Sequence, residues 1–286
     1  AFKVLRERID KFGVTQPNIQ LLGNSGRILV ELPGAKDIDR IKKLLQSTAQ
    51  LEFWETYKIE EIGQYLMSVE EALKKTEVAV KEAPVKTNSI DSLLTDKADT
   101  TAAASNSPFL GKMLAPGQQG SPFVGVFATK DTAAINAYFK RDDIKALLPA
   151  NLSNIKFAWG KTNEKTPDQT ELYALKGTRD NVAPLSGGVI VDATDTFDQL
   201  GKPAVSMQMN GNGSRKWEQI TGAVSQQGNA IAIVLDNIVY SAPGVSKGAI
   251  TGGRSEISGN FTIEETKDLA NILRAGKLPA AAEIVQ

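Results

Sequence analysis

The stretch FKVLRERIDKFGVTQPNIQLLGNSGRILVELPGAKDIDRIKKLLQSTAQLEFWETY, from Phe2 to Tyr57, decides the fold class. Leu5, Ile9 and Phe12 recur at helical spacing, and Gly13 stops the helix they define. Asn18 to Leu22 and Arg27 to Leu32 then read as two strands around the turn Gly23-Asn24-Ser25-Gly26, a hairpin that Pro33-Gly34 ends. Asp37 can cap a second helix with Ile38, Ile41, Leu44 and Leu45 on one stripe, and Leu51 to Tyr57 has the alternation and aromatics of a strand. The order α, β, β, α, β is that of a ferredoxin-like β-α-β-β-α-β unit without its first strand, which would precede Ala1.

Beyond this unit the periodic signal weakens. From Lys58 to Gln119 the sequence offers a charged helix over Ser68 to Lys81. A tract rich in Thr, Ala, Ser and Asp follows from Thr95 to Ser107, and then Pro116-Gly117, the composition of a partly mobile surface insertion. Order returns with a strand at Phe123 to Thr129, a helix from Thr132 to Leu148 capped by Asp131, and a strand pair, Ile155 to Gly160 and Glu171 to Lys176. Gly187 to Val191, Ala204 to Met209 and Ala230 to Leu235 supply further strands, with a helix over Lys216 to Gln226. The last of these strands turns at Asp236-Asn237 into another. Thr262-Ile263-Glu264-Glu265 fits a capping box, starting a helix with Leu269, Ile272 and Leu273 on its apolar face; Gly276 stops it before a short strand, Ala281 to Val285. The expected architecture is α+β. Residues 1–57 and 260–286 form a ferredoxin-like base, residues 58–119 an insertion, and residues 120–259 an inserted α+β head.

Composition narrows the chemistry. The 286 residues are 41% hydrophobic and 23% charged, enough to bury a core and long enough for two domains. Lys+Arg and Asp+Glu balance at 33 each, with no basic run to track phosphates, which argues against nucleic acid. The chain has neither Cys nor His, which removes thiol nucleophiles, imidazole bases and the usual zinc and haem ligands. No stretch approaches a membrane span in length, the longest clean apolar run being Ala230 to Leu235. A start without Met, directly into helical periodicity, is expected of a portion of a longer protein.

Several local patterns have a structural and a functional reading. Gly211-Asn212-Gly213-Ser214-Arg215-Lys216 has the look of a phosphate loop without the spacing of one, and reads as a turn between strand and helix. Asp192, Asp195 and Asp198, three apart, could share a helical face, but lack the spacing of a Ca²⁺ loop and read as solvated surface. No carboxylate pair has a reason to share a cleft, so no catalytic, cofactor or metal site is assigned. Val205, Met207 and Met209 alternate on one face of a strand, a surface that can adapt to varied apolar partners. Phe123, Phe157, Trp159, Tyr173 and Trp217 could line a cleft for extended polypeptide. Each of these eight also reads as core.

Four blocks carry a family resemblance: RERIDKFGVTQPNIQ at Arg6 to Gln20, RILVELPG at Arg27 to Gly34, NAIAIVLDNIVYSAP at Asn229 to Pro243, and ITGG through LRAGKLPAAAEIVQ. In this wording and order they resemble SecD and the SecD half of SecDF, while Lys58 to Ser186 departs from that pattern. The resemblance implies the large first periplasmic domain of a bacterial inner-membrane protein, with a ferredoxin-like base and an inserted head, lying between the first two membrane helices. It implies partners: unfolded preprotein, SecF or a fused SecF half, and the SecYEG channel. It also implies a non-enzymatic role, in which the head captures preprotein on the outer side and hinders backsliding. The proton motive force would be coupled through membrane helices outside this chain. A scaffold for partner subunits alone, and a carboxylate-dependent envelope enzyme, are the alternatives from other classes.

Overall fold

The computed structural model describes residues 2–11, 17–23, 26–34, 38–46, 50–81, 107–163, 165–259, 261–275 and 284. The Gly13 and Gly276 helix stops, the Asp37 cap, nearly all of the Thr95 to Ser107 tract and the Ala281 to Val285 strand lie outside the described residues.

The first elements are α1 (Phe2–Lys11), β1 (Asn18–Leu21), β2 (Ile28–Glu31) and α2 (Ile38–Gln46). β1 and β2 pair antiparallel from Asn18 opposite Glu31 to Leu21 opposite Ile28. Leu5 and Ile9 of α1 meet Ile41 and Leu45 of α2 over Ile19, Ile28 and Val30 of the hairpin. The helical spacing of these side chains is what lets both helices bury one stripe on one sheet face.

The strand that follows, β3 (Leu51–Glu55), does not join the hairpin. It pairs antiparallel with β11 (Ile231–Leu235), from Leu51 opposite Leu235 to Glu55 opposite Ile231. Leu51 and Phe53 point one way and Trp54 the other, and all three are buried. A strand apolar on both faces belongs in the middle of a covered sheet. The hairpin's outer face, with Asn18, Gln20 and Leu29 exposed, offers no such cover.

That covered sheet has eight strands, in the order β4 (Met113–Pro116), β5 (Phe123–Ala128), β7 (Gln169–Lys176), β6 (Ile155–Gly160), β12 (Ile238–Ser241), β11, β3 and β8 (Leu185–Ser186). Neighbours are antiparallel except β12 and β6. A bridge between Thr56 and Leu175, with the Tyr57 N–H donating to the Ala174 carbonyl at 2.8 Å, ties the end of β3 back to β7. Strands β7, β6, β12, β11 and β3 thereby curl into a ring. Its inside is filled by Trp54, Tyr173, Leu175, Val234 and Val239 with the small Ala158 and Ala232, large beside small as a narrow barrel requires.

Helices cover the outside. The helix α3 (Ile59–Lys81), with α4 (Thr132–Lys140) and α5 (Asp142–Lys145), packs Ile62, Leu66, Val69, Ile135 and Ile144 on Val124, Phe127, Leu172 and Ala174. The charged helix expected from Ser68 thus begins at Ile59, and the single helix expected over Thr132 to Leu148 breaks at Arg141, whose ψ of 139° is extended. Asp131 occupies the N-cap position of α4 without capping it: its carboxylate takes Lys112 Nζ at 2.7 Å instead.

A second sheet, in the order β13 (Arg254–Ile257), β10 (Pro203–Met209), β9 (Ile190–Phe197), lies with α6 (Gly211–Gln227) and α7 (Ile263–Ala275) over the other half of the ring wall. Ala193, Val205, Met207, Val224, Leu269, Ile272 and Leu273 share this core with Leu51, Phe53, Ile231 and Ile233. A 3₁₀ turn, Gly187–Val189, precedes β9 where a strand was expected from Gly187. The capping box of α7 is present: the Thr262 N–H donates to Glu265 Oε2 at 3.0 Å, and the Glu265 N–H to Thr262 Oγ1 at 3.2 Å.

Candidate polypeptide-binding groove

The eight side chains singled out from sequence do not line one cleft. Val205, Met207, Met209 and Trp217 are at most 4% exposed, in the core beneath the three-stranded sheet. Phe157 stacks on Phe139 with ring centres 3.9 Å apart, and Trp159 donates from Nε1 to Asn136 Oδ1 at 2.9 Å, both under α4. Phe123 meets Tyr173 edge to face at 6.2 Å on the ring side of the sheet. Tyr173 also donates its hydroxyl to Glu171, and burial followed by that carboxylate drives its pKa up. The set does not form one array for polypeptide, because β10 and α6 turn theirs into the core under the three-stranded sheet, β6 turns its pair under α4, and β5 and β7 turn theirs toward the ring.

Two of the eight, Met207 and Trp217, do line a concave site. A groove of about 290 Å³ lies between β13 and the segment running from Pro243 to Ile250. Met207, Trp217, Ile231 and Ile233 line it together with Val245 and Ile250, and Ser255, Glu256 and Lys247 add its polar groups. The segment is anchored at three points: the Ile231 N–H donates to the Pro243 carbonyl at 3.0 Å, Gly248 N–H to Ser225 Oγ at 3.1 Å, and Ile250 N–H to Thr221 Oγ1 at 2.8 Å. The Trp217 ring is fixed edge-on to Phe53 at 5.0 Å, and its buried Nε1 has no hydrogen-bond partner among the described residues. An apolar lining of this kind suits a chain segment that brings apolar side chains of its own. Burial raises the Glu256 carboxyl pKa, and Asp198 raises it further.

Sequence reasoning missed Ile231, Ile233, Val245 and Ile250. The first two were read as scaffold strand, and the last two sit in an irregular segment with no periodicity to mark them. The signal that could have found them is VSKGAI itself, apolar residues spaced along a loop that needs none for solubility.

The other patterns resolve into structure. Gly211-Asn212-Gly213-Ser214 is the first turn of α6, which starts directly after β10 with Asn210 as cap, its side chain accepting from the Gly213 N–H at 2.8 Å. A Cβ at Gly213 would stand 2.6 Å from that of Val189, so close packing explains this glycine. Asp192 and Asp195 lie on the extended strand β9, where residues three apart point to opposite faces; Asp198 is in the turn that follows. The shared helical face expected of them does not form. Among the described residues no group of three or more acidic side chains is placed to hold a metal. A second recess, of about 380 Å³, separates the Lys161 to Thr170 loop from the start of α7, where Lys161 pairs with Glu265 over the Tyr240 ring.

The described residues form an α+β body with an apolar groove beside β13. Comparison with known proteins gives its family. Residues 164–280 match the family model of the SecDF P1 head subdomain, and residues 1–58 that of the N-terminal part of the P1 domain of protein translocase subunit SecDF. The protein translocase subunit SecD of Rhodothermus marinus is 38% identical over the whole chain, and that of Magnetococcus marinus 30%. The chain spans 45% and 38% of the lengths of these relatives. The crystal structure of SecDF in a super-membrane-facing form superposes on 98% of this chain and 26% of its own, with 27% identity and a TM-score of 0.51. The chain belongs to the SecD/SecDF family and corresponds to its P1 domain. These relatives are named as translocase subunits, not as enzymes. Among the described residues no helix is long and apolar enough to cross a membrane.

Proposed function

We propose that this chain is the periplasmic capture domain of a Sec accessory subunit, held at the bacterial inner membrane by segments outside it. It takes hold of unfolded preprotein leaving the SecYEG channel and, working with SecF or a fused SecF half, promotes release on the outer side. The proton motive force acts elsewhere in the parent protein. The observation that carries the reading is the groove beside β13. It is apolar at Met207, Trp217, Ile231 and Ile233, and the roofing segment is pinned at Pro243, Gly248 and Ile250. The partly buried Val245 and Ile250 face this buried apolar floor across the groove, a lining that suits a partner with apolar side chains of its own.

The division of labour follows the packing. The small layer of α1, β1, β2 and α2, with α7 touching α1, serves as base, and the ring with its helices serves as head; β3 carries the chain from one to the other. The partition proposed from sequence, a base of residues 1–57 and 260–286 with the 58–119 insertion and the 120–259 head between, is drawn across this packing, since β3 pairs with β11 and α7 packs on β9 and β10.

The test uses the absence of Cys. A single cysteine at Val245, labelled with an environment-sensitive dye, should report binding of an unfolded polypeptide, and Val245→Trp should block it. Equal competition by a folded protein of similar mass, or unchanged binding in Val245→Trp, would defeat the reading. A scaffold for partner subunits would leave the dye silent towards unfolded chains.

A further inference from the structure

The three-stranded sheet has two outer edges, and the fold treats them differently. Along β9, Arg274 of α7 lies on the edge and its Nη2 donates to the Ala193 carbonyl at 2.6 Å. That contact blunts the edge, as folded proteins commonly do where an open strand would invite another chain. The edge of β13 has no such guard, and no further strand lies beyond it among the described residues.

Which backbone groups face outward there follows from alternation. The Met209 N–H donates to the Gly253 carbonyl at 2.8 Å, so Val205, Met207 and Met209 turn their backbone groups toward β13. Their register partners Ile257 and Ser255 then face β10. Arg254 and Glu256, which alternate with them, present N–H and C=O to the outside. That outside is the groove, lined by Ser255 and Glu256 on the β13 side.

The charges select further. Glu256 makes no ion pair among the described residues, and Asp198, in the turn after β9, adds a like charge to its surroundings. Asp198 spends Oδ1 on the Leu200 and Lys202 N–H groups, which leaves its charge in place. Glu256 is thus the carboxylate at the open strand edge, and it complements a cation.

Resting on the capture reading above, we infer that the captured segment binds as an extended strand added to the outer edge of β13, with alternate apolar residues against Met207 and Trp217 and a Lys or Arg opposite Glu256. Recognition of this kind takes its affinity from main-chain hydrogen bonds, which every preprotein offers, and leaves side-chain choice loose. It excludes helical segments, and it disfavours proline wherever an N–H must be donated.

The experiment uses the 286-residue chain and a short dye-labelled peptide alternating Val with Thr and Lys. Two further peptides are N-methylated at one or the other alternate set of residues. Strand addition predicts that one methylated set loses about tenfold or more in affinity while the other binds as the parent peptide does. Glu256→Lys should weaken the Lys peptide and favour its Glu counterpart. If both methylated sets bind like the parent while Val245→Trp still abolishes binding, strand addition is wrong and groove capture stands. If Val245→Trp leaves every peptide bound, the groove itself is wrong and both readings fall.

Discussion

Arg274, in the last turn of α7, spans to β9: its Nη2 donates to the Ala193 carbonyl at 2.6 Å and its Nε to Asp192 Oδ1 at 3.2 Å. The contact docks α7, whose Leu269, Ile272 and Leu273 enter the same core as the groove floor. It also shields one edge of a sheet whose other edge is open. Order at the groove therefore depends on a residue that does not line it.

Replacing Arg274 with Ala should cost about 1–2 kcal/mol, since a charged donor to an edge-strand carbonyl is lost at a partly exposed site. Asp192→Asn should cost less than about 0.5 kcal/mol, because Asp192 is largely exposed. Urea unfolding decides it: the midpoint should fall in the first variant and hardly move in the second, at unchanged slope. Equal losses would mean that the ion pair, not the carbonyl contact, holds the helix.

The capping box of α7 offers a second check at the other end of the same helix. Thr262→Ala removes the oxygen that receives the Glu265 N–H and should destabilise by about 1 kcal/mol. Thr262→Ser should restore most of it, measured in the same urea titration.

Inside the ring, Glu52 accepts Trp54 Nε1 at 2.9 Å and stands 3.8 Å from Lys156, whose ammonium lies 4.6 Å from the centre of the Trp54 ring. Either Glu52→Gln or Lys156→Met alone leaves a poorly solvated charge, and each should cost about 2 kcal/mol. The double variant should cost at least about 1 kcal/mol less than the sum. Additive losses in thermal or urea unfolding would show that the two charges ignore each other.

Local features were legible in the sequence because their causes are local. The hairpin of β1 and β2, the α7 cap, and the β11 strand turning at Asp236-Asn237 follow from spacing and from turn chemistry a few residues long. What was not legible depends on residues far apart. The partner of Leu51 is Leu235, and the ring closes through Thr56 and Leu175. No periodicity encodes such pairings. Asp192 and Asp195 were ambiguous since three-residue spacing marks a helix only if a helix forms, and β9 formed instead. Met207 and Trp217 stood out as apolar bulk on a regular face, a signal that does not separate groove floor from core. Val245 and Ile250 carry no pattern until the loop is folded over the strand edge.

Four tyrosines, Tyr57, Tyr65, Tyr173 and Tyr240, have their hydroxyl pKa raised in the fold, and Tyr65, raised by burial, reaches about 12 from an ordinary 10.0. A tyrosine that resists ionisation only when folded contributes stability that is full below pH 10 and lost as pH rises toward the folded value. For Tyr65 the loss should reach about 2 kcal/mol by pH 12. Stability measured from pH 9 to 12 should slope downward, and Tyr65→Phe should flatten part of that slope. An unchanged slope would place Tyr65 in water on the folded protein.

The turn between β11 and β12 holds Asp236 and Asn237 at φ of 50° and 66°, the left-handed pair that a two-residue hairpin matching sheet twist demands. Asn tolerates this region better than other side chains because of its short amide, and a β-branched residue hardly does. Asn237→Gly should therefore be neutral or stabilising by a few tenths of a kcal/mol, and Asn237→Val should cost about 1–2 kcal/mol. Asp236 has a further duty, since its Oδ1 accepts the Gln50 N–H at 3.0 Å and so sets the register at which β3 enters the ring. Asp236→Gly keeps the backbone conformation and removes that bond together with the carboxylate charge that acts on Arg8 and Tyr240. A loss of about 1 kcal/mol in that variant, with Asn237→Gly unharmed, would separate the side-chain role from the turn. Equal tolerance of Gly at both positions would show that the β3 register is set by Leu51 and Phe53 alone.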